Sequence, residues 1–530
     1  MDKKDRIKAE LQLQYEEELL YKEELKNSFY FFFKEAWPVI EGTVEFYDNW
    51  HIQALCDHLE AAYNGEIKKL LINVPPRSSK SSIISIAFPA WVWINRPSSR
   101  FLYSSYSKEL SMEHSLKCRR LIESEWYQNL FGNIFKISAD QNTKSFFDND
   151  KKGCRISTSV GGTTTGKGGD FLIADDPNNV RDGESEVKRL DVLSWFNAVW
   201  PSRMNSPKTG VQIVVQQRVH ERDVSGEILA TDYNDEWVKL ILPMEFEPAR
   251  KAVTCYLEKY QEVWEDPRVQ DKELLCGDRF DENYISTLKT RLGSYGYAGQ
   301  YQQRPAPEDG GIIKKEWFKK WDEEDSPDVQ FIIQSWDTAL TANKDSAYSA
   351  CSTWGVFLDN NGLENIILLS MWRKKVEYPE LRDRAKRLFY NYIDINESKP
   401  DIKAGEVDLC LIEAKASGDP LIQDLTRAGL MTYPFNPSKY GDKMRRVRLV
   451  TPLIENGRVW LPLYPGSSKF INYAEEFVEN VSLFPNAESR DLVDSFTQTL
   501  LYLKDNFDLH HSSDQIEEEE THLEKVDRLY

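Results

Sequence analysis

Short apolar runs that end in polar or turn-forming residues recur along this chain, separated by longer stretches of helical period. IKKLLINV (67–74), RFLYSSYS (100–107), DFLIAD (170–175) and VQIVVQQ (211–217) have the length and the aromatic and β-branched content of buried strands. An apolar stretch from about Ser81 to Ile94 predicts a helix between the first two, and Glu109–Glu123 and Glu184–Trp200 predict two more. Strands that alternate with helices predict a mostly parallel sheet covered on both faces. After Leu240 the pattern weakens, and a second alternating set begins at FIIQSWD (331–337). That set passes through LCLIEAK (409–415) and closes in a helix near Asp491–Leu501. The opening residues predict a charged helix, and beyond His510 the chain turns polar and acidic. The expected organisation is a helical arm (1–45), a first α/β domain (46–245), a lid or linker region (246–325), a second α/β domain (326–510) and an acidic tail (511–530).

Composition refines this picture only slightly. At 530 residues the chain exceeds what one hydrophobic core organises, which supports two domains. Hydrophobic residues at 41% and charged residues at 29% exclude wholesale disorder. The longest apolar stretch, Ile83 to Ile94, is broken by Ser85 and Pro89 and is too short to span a bilayer. The N-terminal MDKKDRIKAELQ lacks the apolar core of a signal peptide. Seven cysteines without a C-x-x-C pair fit a reducing cytoplasm, and seven histidines show no zinc-type spacing. A net charge of −19 weighs against a nucleic-acid partner, but much of it sits in runs such as Glu16–Glu18 and Glu517–Glu520. A protein that slides along DNA also gains nothing from tight phosphate contacts over its whole surface. Charge therefore leaves the partner open.

The first candidate chemistry lies in VPPRSSKS (74–81), which joins a strand to a helix as a phosphate-binding loop does. Lys80 and Ser81 stand at the Lys and Ser/Thr places of G-x-x-x-x-G-K-[ST], while Val74 and Ser79 stand where glycines are usual. Backbone N–H groups of Ser78 and Ser79 before the helix favour an anion, Lys80 can reach the β- and γ-phosphates of ATP, and Ser81 can ligate Mg²⁺. Arg77 adds a second positive charge. Read alone, the segment fits a plain strand–turn–helix equally well. FLIADDP (171–177) shifts the balance, because Asp175 then holds Mg²⁺ and Asp176 stands where the base that orients the attacking water is found. Glu184 and Glu186 are alternatives for that base. Gln53 is placed to read the adenine edge, and Gln216, Gln217 and Arg218 to sense the γ-phosphate. Lys167, in the glycine-rich 161–170 segment, can contact phosphate in cis or on a neighbouring subunit, and Arg155 competes for that role.

The second candidate site is a set of carboxylates. Asp337 ends FIIQSWD, Glu413 lies near the end of LCLIEAK, and Asp491 and Asp494 share one face of a helix. Acidic groups converging from two strands and a helix repel unless cations neutralise them, which suits two Mg²⁺ or Mn²⁺ ions at a phosphodiester. Strand-Asp, strand-Glu, helix-Asp is the RNase H-like order. Either Asp491 or Asp494 can supply the third ligand. Lys415 and the cluster Lys439, Lys443, Arg445, Arg446 and Arg448 can meet a phosphate backbone or simply form a solvated face.

The order of blocks resembles the large terminase subunits of tailed bacteriophages over almost the whole chain. The blocks are PPRSSKS, GGTTTGKGGDFLIADDP, QQRVHERDVSGEIL (216–229), YAGQYQQRPAPEDGGIIKKEWF (297–318), WDTA (336–339), IEAKASGDPLIQDL (412–425) and the FP…RDLVDSF stretch (484–496). The resemblance implies an N-terminal P-loop ATPase of the ASCE type with a mostly parallel sheet, and a C-terminal RNase H-like α/β nuclease. It implies a motor that packages double-stranded DNA into a procapsid and cuts concatemers with a metal-dependent endonuclease. The implied partners are portal protein, a small terminase subunit and further copies in a ring, in the host cytoplasm and at the portal vertex, with no membrane. Two positions depart from the family pattern: Arg490 stands where a second aspartate is frequent, and Asp176 where glutamate is usual.

Overall fold

The computed structural model describes residues 3–138, 143–162, 166–230, 236–257, 262–305, 312–321, 327–339, 348–359, 362–391, 406–414, 418–464, 467–485 and 491–506. Lys415, Arg490 and the acidic tail lie outside these residues. The chain divides into two compact units, Met1–Ile285 with Tyr295–Ala306, and Ser286–Ser294 with Pro307–Tyr530.

The first unit is built on seven strands: β1 (Lys69–Asn73), β2 (Arg100–Ser105), β3 (Phe146–Asp148), β4 (Cys154–Ser159), β5 (Phe171–Asp175), β6 (Val211–Gln216) and β7 (Val238–Ile241). Their order is β3-β4-β2-β5-β6-β1-β7, parallel throughout except for the β3–β4 pair. β5 is buried along its whole length, as a strand covered on both faces requires. β6 lies between β1 and β5, pairing Asn73 with Gln216 and Asp175 with Val215. The C-terminal ends of β1 and β5 therefore open at the same edge of the sheet, on either side of β6, where α/β sheets bind ligands. A short antiparallel ribbon, β8 (Val253–Leu257) and β9 (Glu262–Glu265), follows the sheet.

The helix after the β1 loop runs through Ser82–Ala87 in the wider π winding and then through Phe88–Asn95 in α winding. Pro89 explains the irregularity: it has no N–H to offer the Ser85 carbonyl four residues back. Arg155 Nη2 donates to that oxygen instead, at 2.9 Å. Arg155 is fully buried, with its guanidinium 4.1 Å from the Tyr103 ring centre and Nη1 donating to Ser157 at 2.5 Å.

The second unit holds β10 (Lys319–Trp321), β11 (Phe331–Asp337), β12 (Ser349–Leu358), β13 (Glu364–Lys374), β14 (Leu409–Glu413), β15 (Thr432–Phe435) and β16 (Val459–Pro462). The order is β10-β16-β13-β12-β11-β14-β15. β11, β12 and β13 form an antiparallel meander, and β14 and β15 extend it in parallel from β11. One face carries the helices Asn472–Ser482 and Asp491–Asn506, locked by Trp354 against Phe477 (5.4 Å between rings) and Phe496 (5.1 Å). Two α/β units with parallel-rich sheets match the expected fold class. Among the described residues no helix is long and apolar enough to cross a membrane.

Candidate active sites

In the first unit, the loop after β1 and the end of β5 meet. Lys80 Nζ lies 2.7 Å from the Asp176 carboxylate. Ser81 Oγ donates to Asp175 at 3.3 Å and Ser85 Oγ at 2.7 Å. The main-chain N–H of Gln217, just past β6, donates to Asp176 at 3.1 Å. Burial, opposed by the Lys80 ammonium, raises both carboxyls above the ordinary aspartate range, and Asp175 raises Asp176 further. Oxygen donors from Ser81 and Asp175 suit a hard cation such as Mg²⁺.

The backbone here is held in unusual conformations. Arg77 (φ 62°), Ser79 (φ 59°) and Asp176 (φ 45°) are three of only six non-glycine residues with positive φ among the described residues. Such conformations concentrate where function over-determines geometry. Ser79 occupies the place where a phosphate loop normally carries glycine, and its left-handed φ gives the physical reason for that preference. Ser79→Gly is therefore expected to stabilise this unit by about 1 kcal/mol, read as a higher denaturation midpoint with unchanged slope. An unchanged or lower midpoint would show that the Ser79 conformation carries no strain.

The other residues named from sequence separate into near and far. Gln216 is buried, and its Nε2 donates to Ser225 at 2.7 Å. Arg218 is clamped by Asp223, with Nε 2.8 Å from Oδ1, which commits its charge within the 218–223 turn. Arg155, buried behind Ser85, is in no position to reach a neighbouring subunit. Lys167 is exposed, 5.9 Å from the Phe146 ring centre. Glu184 is half-buried and Glu186 exposed. Gln53 is exposed on the helix Trp50–Asn64, whereas its neighbours His51 and Ile52 line the small cavity beside the loop. A 100° turn per residue puts the amide off the lining face. Sequence reading missed Ser85 and His114. His114 Nδ1 lies 3.5 Å from Asp175, and burial, aided by the Arg155 cation, lowers its pKa to about 4, so it is neutral at pH 7.

In the second unit, Asp337 ends β11 and Glu413 ends the adjacent parallel β14. A Cβ on Gly418 would lie 1.9 Å from the Glu413 carbonyl oxygen, so only glycine fits there. Asp491 and Asp494 occupy the first turn of the helix Asp491–Asn506. Burial first, then Asp494, Glu413 and Asp491 in decreasing order, push the Asp337 carboxyl well above its ordinary range. The four carboxylates thus share one electrostatic neighbourhood. Among the described residues, however, no three His, Cys, Asp or Glu side chains converge into a group that could hold a metal ion as they stand. Asp494, only 7% exposed, instead pairs with Arg446 at 2.8 Å and with Lys443. Two residues of the expected phosphate-facing cluster therefore neutralise the site internally. Lys439 pairs with Asp505 at 2.5 Å, and Arg445 and Arg448 are half-buried. An oxygen-only donor set still fits hard divalent cations better than zinc or copper.

Comparison with known proteins places this geometry. The model of the terminase RNaseH-like domain matches residues 334–503, which contain Asp337, Glu413, Asp491 and Asp494. No curated protein matches the chain. The large terminase of a thermophilic bacteriophage aligns at 9% identity and TM-score 0.45, covering 83% of this chain and 94% of that one. The HK97 bacteriophage large terminase aligns at 11% identity and TM-score 0.33, covering 84% and 94%. The magnesium-bound terminase nuclease of thermophilic phage G20c aligns at 13% identity and TM-score 0.25, covering 37% and 98%. The domain match gives residues 334–503 as a terminase-type RNase H-like domain.

Proposed function

We propose that the chain is the large subunit of a phage terminase, a DNA-packaging motor whose first unit hydrolyses ATP and whose second cuts the DNA. The observation that carries this reading is one chain holding both a phosphate-type loop paired to tandem aspartates and a carboxylate cluster inside a terminase RNase H-like domain. Lys80 neutralises the β- and γ-phosphates, Ser81 and Asp175 hold Mg²⁺, and Asp176 orients the attacking water. Gln217 reports the change at Asp176 through its main-chain N–H bond. Asp337, Glu413 and Asp494, with Asp491 beside them, would hold the nuclease cations, whose chemistry when bound would be activation of water and stabilisation of the leaving oxygen at the phosphodiester. Asp494 and Glu413, both buried, are better fixed for ligation than the half-buried Asp491. The substrate is double-stranded viral DNA. The partners are a portal protein, a small terminase subunit and further copies of the chain in a ring, working in the bacterial cytoplasm at the procapsid's portal vertex.

The test is DNA uptake. Purified chain, portal-bearing procapsids, linear duplex and ATP are expected to give DNA protected from added nuclease, with no strand displacement on a forked duplex. Strand displacement without uptake would replace the motor by a helicase-like repair nuclease.

A further inference from the structure

Gln498 is 1% exposed, yet among the described residues neither its Oε1 nor its Nε2 has a hydrogen-bond partner. The same holds for Oγ of Ser335, which is fully buried. Leaving such groups unpaired costs free energy, so protein interiors satisfy them, commonly with ordered water. The fold sets the two groups at one level. Ser335 stands two residues before Asp337 on β11, on the same face and roughly 7 Å deeper. Gln498 stands four residues after Asp494 on the helix Asp491–Asn506, one turn and roughly 6 Å deeper. That helix packs on β11 and β12. Ser352, the cross-strand partner of Ser335, donates from Oγ to Ser495 at 3.2 Å, so this face of the sheet meets the helix at the Ser335 level. At about 100° per residue, Gln498 projects between Asp494, held by Arg446, and Ser495, held by β12, which aims it at β11.

We propose that Gln498 and Ser335 are positioning residues for the nuclease cations: together they hold an internal water under Asp337 and Asp494 that fixes the carboxylate oxygens facing the metal. A water bonded above to a carboxylate and below to an amide or hydroxyl spans roughly 5.5–6 Å, close to the depth that separates each pair. It finds the partners that an internal water requires in the Gln498 amide, the Ser335 hydroxyl and the two carboxylates. Asp494 has lone pairs beyond those that Arg446 and Lys443 occupy. Groups behind a ligand set its orientation without touching the metal. This proposal rests on the nuclease reading of the second unit.

The full chain is titrated calorimetrically with Mn²⁺ as wild type, Gln498→Leu, Ser335→Ala, the double variant and Asp337→Asn, the last defining which heat belongs to the nuclease site. Each protein is also melted in chelator. Gln498→Leu and Ser335→Ala are each expected to weaken Mn²⁺ by about tenfold to a hundredfold, with chelator melting points no lower than the wild type. The Mn²⁺ concentration for half-maximal cutting should rise in step, with KM for DNA unchanged. Because both residues act through one water, the double variant should bind no more weakly than the weaker single variant. Should Gln498→Leu fail to fold, Ser335→Ala decides alone, since it removes one oxygen. Unchanged Mn²⁺ binding in both single variants, with the heat lost in Asp337→Asn, would overturn the shared water and leave the cation site standing. Weaker binding accompanied by lower chelator melting points would assign the two residues a merely structural role, and additive losses in the double variant would also overturn the shared water. Wild-type protein without Asp337-dependent heat would remove the nuclease reading, and this inference with it.

Discussion

ATP turnover is expected to fall by about a hundredfold to a thousandfold in Lys80→Ala, while cutting of duplex DNA persists. Lys80 is the only ammonium beside the two buried carboxylates at the end of β5 among the described residues, and it reaches Asp176 at 2.7 Å. Arg155 is sealed behind Ser85 and Arg218 is bound to Asp223, so neither follows charge as it develops on a transferring phosphoryl group. The variant also strips the two carboxylates of their partner. Breaking a buried pair costs up to about 3–5 kcal/mol. The raised Asp176 carboxyl moderates this, because it takes up a proton more readily than an ordinary aspartate. A phosphate-release assay, run beside a melting curve and a cutting assay on the same preparation, separates lost chemistry from lost fold. Equal turnover in the variant and the wild type would mean that the activity is contamination and the first unit a nucleotide-free scaffold.

The second large effect is expected at Asp337. Asp337→Asn should abolish metal-dependent cutting while ATP turnover continues, and it should also invert the stability of the nuclease unit. Burial and three neighbouring carboxylates raise the folded-state pKa of Asp337 above the unfolded value of about 3.9. A group raised in this way contributes stability fully below its unfolded value and loses it as pH rises through its folded value. In chelator at pH 7–8, Asn at this position is therefore expected to melt above the wild type, and near pH 4 the two should converge. Saturating Mg²⁺ or Mn²⁺ should reverse the order. At a hundred times the dissociation constant a ligand adds about 2.7 kcal/mol, and for a unit of this size each kcal/mol is worth roughly 2–4 °C. A wild-type rise of roughly 5–10 °C should thus shrink sharply in the variant. Cutting that survives in Asp337→Asn would dismantle the nuclease assignment, and melting curves indifferent to metal would remove the cation site.

Much of this was legible in the chain because strand ends are legible. Asp175, Asp337 and Glu413 each follow a run of buried apolar residues, and in a parallel sheet such an end faces the ligand side. The strand–loop–helix that carries Lys80 was legible by spacing even without glycines, since Ser79 adopts the backbone that glycine usually supplies. What stayed hidden was of three kinds. Spacing three apart puts Asp491 and Asp494 on one face but does not say which is buried, which depends on Arg446 and Lys443 arriving from another helix. A single-residue offset separates Gln53 from the lining residues His51 and Ile52, finer than periodicity resolves. Arg155 in CRISTS looks like a strand's polar residue, and nothing local announces that it is buried completely.

That buried arginine has a further consequence for how such a chain can change over time. Pro89 denies the Ser85 carbonyl the N–H that a regular α-helical turn would supply, and Arg155 donates to it across the fold. Ser85 in turn orients Asp175. Losing the arginine first would remove the cross-fold donor under the candidate metal ligand, whereas losing the proline first allows a local donor and lessens what the arginine's loss would cost. The two positions therefore form a ratchet with a preferred order of substitution, and relatives lacking the proline are the ones in which the arginine is less constrained.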